Sequence, residues 1–376
     1  MRVVVCPDSF KGSLSAIQVA TIIKDAFYEV DETIKVDCVP IADGGEGTID
    51  AFYESVGGTL HAVMVQNPMM EKNEACYLVL PDGTCVIEMA QSTGLHLVKE
   101  KLRNPLVATS YGMGEMISHA LDAGYRKFVV GIGGSATNDG GYGLLRALGM
   151  QFFDELGNVL AGDVLALQKL ARIDVSEFDK RVSESTWSIA CDVNNPLLGE
   201  DGATAVFGPQ KGVTRGTHLQ LEQALAQLAK VVAKQVGYAV HEVAGAGAAG
   251  GVGLALLSYF PAVLNRGIEV VSVTTGLAEK IAHADFVITG EGYSDCQTLN
   301  GKAPLGIAKL AQQYQVPAVL LSGKVAKESK QELHSYFRII MAAADEQMST
   351  AFAMDNAVEL LFTRAKKLAQ QLKEIL

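Results

Sequence analysis

Carboxylates, lysines and glycines crowd into six short stretches of this sequence. They are Pro7-Asp8-Ser9-Phe10-Lys11-Gly12-Ser13; Ala42-Asp43-Gly44-Gly45-Glu46-Gly47-Thr48; Ile132-Gly133-Gly134-Ser135-Ala136-Thr137-Asn138-Asp139-Gly140-Gly141; Asp192-Val193-Asn194-Asn195-Pro196; Gly290-Glu291-Gly292 with Asp295, Gly301 and Lys302; and Ser322-Gly323-Lys324. Glycine lets main-chain N–H groups turn toward an anion with no Cβ in the way, which suits phosphate. Lys11, Lys302 and Lys324 can act as point charges on phosphoryl oxygens. Asp8, Asp43, Glu46, Asp139, Asp192, Glu291 and Asp295 are too many acids for a phosphate site unless a cation shares it. Mg²⁺ takes one or two carboxylates together with nucleotide oxygens, so acids beside glycine loops point to Mg-nucleotide chemistry. Phosphoryl transfer then needs positioning, charge neutralisation and a residue that accepts the hydroxyl proton, a task an Asp can perform.

Each stretch also has a plainer reading. Asp43-Gly44-Gly45 alone is a turn, Ser135 and Thr137 suit helix caps, Lys302 and Lys324 suit solvated surface, and Asp192 ahead of Asn194-Asn195-Pro196 suits an Asx-turn. The seven histidines lack metal-ligand spacing, and no H-E-x-x-H, G-x-S-x-G or G-x-x-x-x-G-K-[ST] occurs. One motif pulls toward a dehydrogenase: Gly245-Ala246-Gly247-Ala248-Ala249-Gly250 spells G-x-G-x-x-G, and Glu269 follows 19 residues past Gly250. Its surroundings fit poorly, because Pro261 cuts the following helix short and Glu269 opens an apolar run instead of closing one.

The elements that must position these stretches alternate. Strands are expected at Arg2–Cys6, Lys35–Ile41, Lys127–Gly131, Trp187–Cys191, Asp285–Thr289, Val316–Leu321 and Arg338–Met341, and helical patterns separate many of them. Ser15 and Gln18 spell a capping box, Leu221, Leu225, Leu228 and Val232 mark a helix closed by Gly237, and 356–376 marks another. This is an α/β pattern with a largely parallel sheet. Polar loops following so many strands point to one functional cleft at the carboxyl edge. His61–Val65, Ala75–Leu80 and Thr84–Met89 break the rule, since no helix separates them and Pro81-Asp82-Gly83-Thr84 signals a hairpin. A mixed-sheet domain is therefore expected over 61–275, inserted into a domain made of 1–60 and 276–376.

Bulk properties set the remaining bounds. The 376 residues suggest two or three domains. With 31 basic against 42 acidic residues, a net charge of −11, there is no footprint for nucleic acid. Hydrophobic residues at 49% and charged residues at 19% exclude disorder. The uncharged run Val243–Leu264 is long enough to span a bilayer, but five glycines and Pro261 favour a buried loop and helix over a membrane segment. The start carries no apolar stretch of signal-peptide length, and six cysteines without a C-x-x-C pair read as free thiols, so a cytoplasmic location is expected.

With these residues assembled, the chain resembles the bacterial glycerate kinase family. The resemblance runs through PDSFKGSLSA (7–16), PIADGGEGT (40–48), GIGGSATNDGG (131–141), DVNNPLLG (192–199), VFGPQKG (206–212), GAGAAGGVG (245–253) and ITGEGYSDCQTLNGKAP (288–304). It implies phosphorylation of D-glycerate by ATP with Mg²⁺, a flavodoxin-like domain built from both chain ends, and an inserted restriction-endonuclease-like mixed-sheet domain. On that basis Asp192, Asp8 and Lys11 are expected in catalysis, with Asp192 as proton acceptor. Ser9, Gly44, Gly45, Gly133, Gly134, Ser135, Thr137, Asn138, Glu291 and Lys302 are expected to bind substrate or phosphate, and Asp43, Glu46, Asp139 and Asp295 to hold the metal. The expected product is 2-phosphoglycerate, with the 3-phosphate or another small hydroxy acid as the alternative; neither nucleic acid nor membrane is an expected partner. The chain departs from its relatives after GEG, where Tyr293 stands in place of their usual Arg and cannot clamp an anion bidentately.

Overall fold

The computed structural model describes residues 1–41, 44–160, 162–300 and 302–376. Asp43, one of the expected metal ligands, lies outside the described residues. The chain divides into two compact units, one of Met1–Asp43, Asp50–Gly57 and Gly267–Leu376, the other of Gly44–Ile49 and Gly58–Arg266. The Gly267–Thr275 helix therefore belongs to the first unit, although the sequence reading carried the inserted segment through 275. The whole is a mixed α/β fold with one parallel and one mixed main sheet.

In the first unit five strands lie in the order Lys35–Cys38, Arg2–Pro7, Phe286–Gly290, Ala318–Ser322, Ile339–Ala342, all parallel. Numbered along the unit the order is 2-1-3-4-5, so it reverses between the first and third strands. Val3, Val4, Val5 and Cys6 are buried on both faces, which is why they read as an unbroken apolar run. The Ala16–Val30 helix opens with a formed capping box: Ser15 Oγ accepts from Gln18 N and Gln18 Oε1 from Ser15 N. Its Val19, Ile23 and Phe27 share a core with Leu361, Leu368 and Leu372 of the Ala357–Ile375 helix and with Val3, Val5 and Ile288 below them. Burying each such side chain stabilises the fold by about 1.5–3 kcal/mol.

The second unit holds six strands ordered Ala262–Asn265, Thr186–Ala190, Lys127–Gly131, Cys85–Glu88, Lys72–Val79, Thr59–Gln66. The first four are mutually parallel and the last two antiparallel. The hairpin turn forms as expected, with Gly83 at φ +82° and Thr84 N donating to Asp82 Oδ1. The Arg215–Val236 helix ends at Gly237, also left-handed. Its capping box pairs Thr214 with Thr217. The expected strand at Thr84–Met89 is shorter, because Met89 already begins a helical turn. The Ala262–Asn265 edge strand was not foreseen, and the apolar run after it is helical. Among the described residues no helix is long and apolar enough to cross a membrane. The uncharged run instead supplies a glycine loop, the Ala248–Tyr259 helix and that edge strand.

Cys296 is the exposed cysteine; Cys6 and Cys85 are buried and the other three half-buried. Burial pushes the Cys38 thiol up to about 11 and raises Cys6, Cys85 and Cys191 as well. A thiolate-selective reagent at pH 8 is expected to titrate one thiol rapidly in the native protein and the others only slowly or after unfolding. Cys296→Ser should remove the fast phase; a fast phase that survives it would contradict this burial pattern.

Candidate functional site

In the first unit the loops after three neighbouring strands lock together. Pro7 and Gly290 are register partners, so Asp8 and Glu291 leave adjacent strands side by side. Asp8 N donates to Gly290 O at 2.8 Å, and Asp8 Oδ1 accepts from Ser9 N at 2.6 Å. Phe10, 3% exposed, anchors the turn through paired main-chain bonds with Leu14, leaving Lys11 at its exposed tip. A Cβ on Gly292 would lie 3.3 Å from Phe10 Cα, so the second loop runs against the first. Gly323 N and Lys324 N then donate to Glu291 O and Gly292 O, joining the third.

Glu291 is buried, and its carboxylate is already engaged. Oε1 accepts from Thr298 Oγ1 at 2.5 Å and Ser294 Oγ at 3.2 Å, and Oε2 pairs with Lys302 Nζ at 3.3 Å. The expected anion-binding Lys302 thus has a resident acid partner. Its side chain is 39% exposed, so the pair is worth at most about 1 kcal/mol and can rearrange around an incoming anion. Asp295 Oδ1 accepts from Gln297 N at 2.8 Å and Asp295 N donates to Thr298 Oγ1, which ties this acid to the same loop. Lys324 Nζ donates to Met348 O.

The second unit gathers the other expected residues. Gly133 N donates to Gly44 O at 2.9 Å, and a Cβ on Gly133 would stand 2.6 Å from Gly45 Cα, so these turns touch backbone to backbone. Glu46 is exposed, its carboxylate 4.0 Å from His96 Nδ1. Gly134 is exposed with φ +70°, while Ser135 is 5% exposed. Asp192 is exposed just beyond the Thr186–Ala190 strand.

Three expected ligand residues are buried. Asp139 is 1% exposed; Oδ1 accepts from Gly141 N, and Oδ2 from Ser110 N, Ser110 Oγ, Gly143 N and, at 3.4 Å, Thr109 Oγ1. Both oxygens are engaged at the start of the Tyr142–Ala147 helix. Thr137 and Asn138 are fully buried, and Asn138 Nδ2 donates to Thr204 Oγ1. As placed, their side chains face protein, not solvent.

Two charged residues escaped the sequence reading. Glu88, fully buried at the end of the Cys85–Glu88 strand, accepts from Gly47 N and Ile49 N and so fixes the Gly44–Ile49 segment. Its signal was an acid closing an apolar run at a strand's carboxyl end. Lys211, 2% exposed, donates from Nζ to Ser135 Oγ and Thr137 O, each at 2.8 Å. Desolvation pushes its ammonium down to about 7, partly opposed by the Asp139 charge. The quoted block VFGPQKG contained Lys211, but nothing in its spacing signals burial.

The G-x-G-x-x-G stretch is a packing device. The segment ahead of it is a short 3₁₀ turn, Val240–Glu242, where a dinucleotide fingerprint needs a strand. Ala249, Gly250 and Gly251 are left-handed in succession, and a Cβ on Gly250 would lie 1.9 Å from Thr137 O. The loop thus braces the Gly133–Gly141 segment from below.

Comparison with known proteins places this geometry in a family. The model of the glycerate kinase family matches residues 3–373. A glycerate kinase of Bacillus subtilis (strain 168) is 41% identical over 99% of this chain and 98% of its own length. A glycerate 2-kinase of Escherichia coli (strain K12) is 42% identical over 87% and 86%. A crystal structure from Salmonella typhimurium LT2, named as a glycerate kinase 2, superposes with a TM-score of 0.87 at 42% identity, covering 100% of this chain and 98% of that one. The chain belongs to the glycerate kinase family.

Proposed function

We propose that this protein transfers the γ-phosphoryl group of Mg-ATP to the 2-hydroxyl of D-glycerate, giving 2-phosphoglycerate and ADP. The carrying observation is the register pairing of Pro7 with Gly290, which sets the Asp8–Lys11 and Glu291–Lys302 loops together where the strand order reverses. Ligands of open α/β sheets bind at such a switch point. Family membership supplies the reaction class, and the relative named glycerate 2-kinase favours the 2-position. The same reading takes the parallel five-stranded unit as flavodoxin-like, on its 2-1-3-4-5 order, and the six-stranded unit as the inserted restriction-endonuclease-like domain.

Mg²⁺ asks for hard oxygens and few protein ligands. Among the described residues no three of His, Cys, Asp and Glu cluster as a metal cage, but a nucleotide-borne ion does not need one. The exposed carboxylate of Glu46 and the half-buried one of Asp295 fit that demand, and the buried Asp139 fits it less well. Bound with ATP, Mg²⁺ neutralises charge on the phosphate oxygens. Lys11, from its exposed tip, balances charge on the phosphoryl oxygens, and Lys302 does so as its contact with Glu291 loosens. Asp8 is held beside the transferred group by its bonds to Gly290 O and Ser9 N. Gly44, Gly45, Gly134 and Ser135 bind anionic oxygen, with Ser9 supporting the phosphoryl side. Gly133, its N–H engaged by Gly44 O, shapes the turn instead of donating to ligand. Asp192 accepts the hydroxyl proton.

The test is ADP release from ATP with and without D-glycerate at fixed Mg²⁺, with an EDTA control and ³¹P NMR of the product. Glycerate-dependent, EDTA-sensitive release with phosphorus coupled to the C2 proton is the expected result. Coupling to the C3 protons would move the product to the 3-phosphate, and turnover only of a different hydroxy acid would point to Tyr293. No turnover of any acid overturns the reading. Asp192→Asn is expected to keep the fold and lower kcat by about a hundredfold or more. Activity retained to within about tenfold would remove Asp192 from the proton-accepting role.

A further inference from the structure

Lys211 reaches the Gly133–Thr137 turn from beneath and is fully enclosed. Below about pH 7, where its side chain is protonated, Lys211 donates and does not accept. Ser135 Oγ is therefore the acceptor in its 2.8 Å bond with Lys211 Nζ, and Thr137 O is the acceptor in the second. With that lone pair engaged, the Ser135 hydroxyl hydrogen must point away from Lys211. Among the described residues it meets no acceptor. Ser135 follows the exposed, left-handed Gly134, and the Gly133 N–H is already engaged by Gly44 O. The hydroxyl of the buried Ser135 is thus a directed donor left over next to the exposed Gly134.

We infer that Lys211 is a positioning residue: by donating to Ser135 Oγ it aims the Ser135 hydroxyl outward as a hydrogen-bond donor to one anionic group of the substrates, a carboxylate or a phosphate. The inference rests on the kinase reading only for the identity of that anion. Lys211 also places a positive charge behind the turn, in a setting where little water screens it. The charge facing it is Asp139, whose own oxygens are saturated by five protein donors, so the pair does not collapse onto itself. A lysine kept solely as a brace would need no free donor on its partner. Here the brace and the free donor share one oxygen atom.

The test compares Ser135→Ala, Ser135→Thr, Lys211→Met and the Ser135→Ala/Lys211→Met pair in the full chain. Binding of D-glycerate and of inorganic phosphate is measured by calorimetry, alongside KM for glycerate and for ATP. Ser135→Ala and Lys211→Met are expected to weaken the same single anion by about tenfold or more, as for a lost hydrogen bond to a charged group. KM for the affected substrate should rise in step with the loss of binding, Ser135→Thr should retain binding, and the double variant should be no worse than the weaker single one. Loss confined to glycerate assigns the donor to the carboxylate, and loss confined to phosphate and ATP assigns it to the phosphoryl side. If Lys211→Met fails to fold, the Ser135 variants decide alone. Unchanged affinity for both anions in Ser135→Ala, effects that multiply in the double variant, or no binding of either anion by the wild type would overturn the inference. A wild type that binds an anion through Ser135 yet turns over no hydroxy acid would overturn the kinase reading and leave this one standing.

Discussion

Parallel pairing governs where this protein can keep its polar loops. Parallel strands cannot be joined by a hairpin; each connection must cross back over the sheet to begin the next strand at the same end. Every turn that leaves a strand's carboxyl end therefore opens on one edge. In the first unit that edge carries Asp8, Lys11, Glu291 and Lys324 on loops that bond directly to one another. In the second unit four parallel strands place Glu88, the Gly133–Gly141 turn and Asp192 at the corresponding edge. The antiparallel strands at 59–79 follow a different rule, and none of the expected site residues lies on them.

The glycine clusters are the second consequence. The sequence invites the view that each glycine frees an N–H for an anion. In the second unit several instead let main chains approach more closely than any side chain allows, as at Gly133 against Gly45 and Gly250 against Thr137. Such contacts set the height and orientation of the Gly133–Gly141 turn from two sides. A motif that copies a nucleotide fingerprint letter for letter can thus serve only to support another loop. What separates the two uses is the element before the motif, a strand in one case and a short 3₁₀ turn here.

The α/β alternation, the inserted hairpin region and the loops at strand ends were all legible in the sequence, because each follows from a local pattern. Ser15 with Gln18 caps its helix as written, and Gly83 and Gly237 adopt the left-handed conformations their turns require. Asp8 and Glu291 leave adjacent strands, a placement the sequence signals only as polar loops following two apolar runs. What stayed hidden was burial of charge. Asp139 reads as a ligand since an aspartate in a glycine loop looks the same whether it faces solvent or five protein donors. Lys211 was invisible for the converse reason, as its partners lie 74 and 76 residues away and no periodicity connects them.

These buried charges are costly, and their placement is informative. Removing an ion from water carries a penalty of several kcal/mol even after relaxation, and hydrogen bonds return only part of it. A fold under selection for stability alone would favour apolar side chains at such positions, yet Glu88, Asp139 and Lys211 all sit beneath the same loop edge of the second unit. Glu88 and Asp139 each bind main-chain N–H groups of glycine-rich segments that have few side chains of their own to hold them. Loops built from glycine buy close approach to a ligand with conformational freedom, and that freedom must be removed by something other than side-chain packing. A buried carboxylate is well suited, because its bonds to N–H groups are directional and strengthen as water is excluded. Lys211 completes the logic with the opposite charge, holding a carbonyl and a hydroxyl where the two acids hold amides. The rigidity of the candidate site therefore comes from ions inside the protein, and the apolar core supplies only the platform on which they stand.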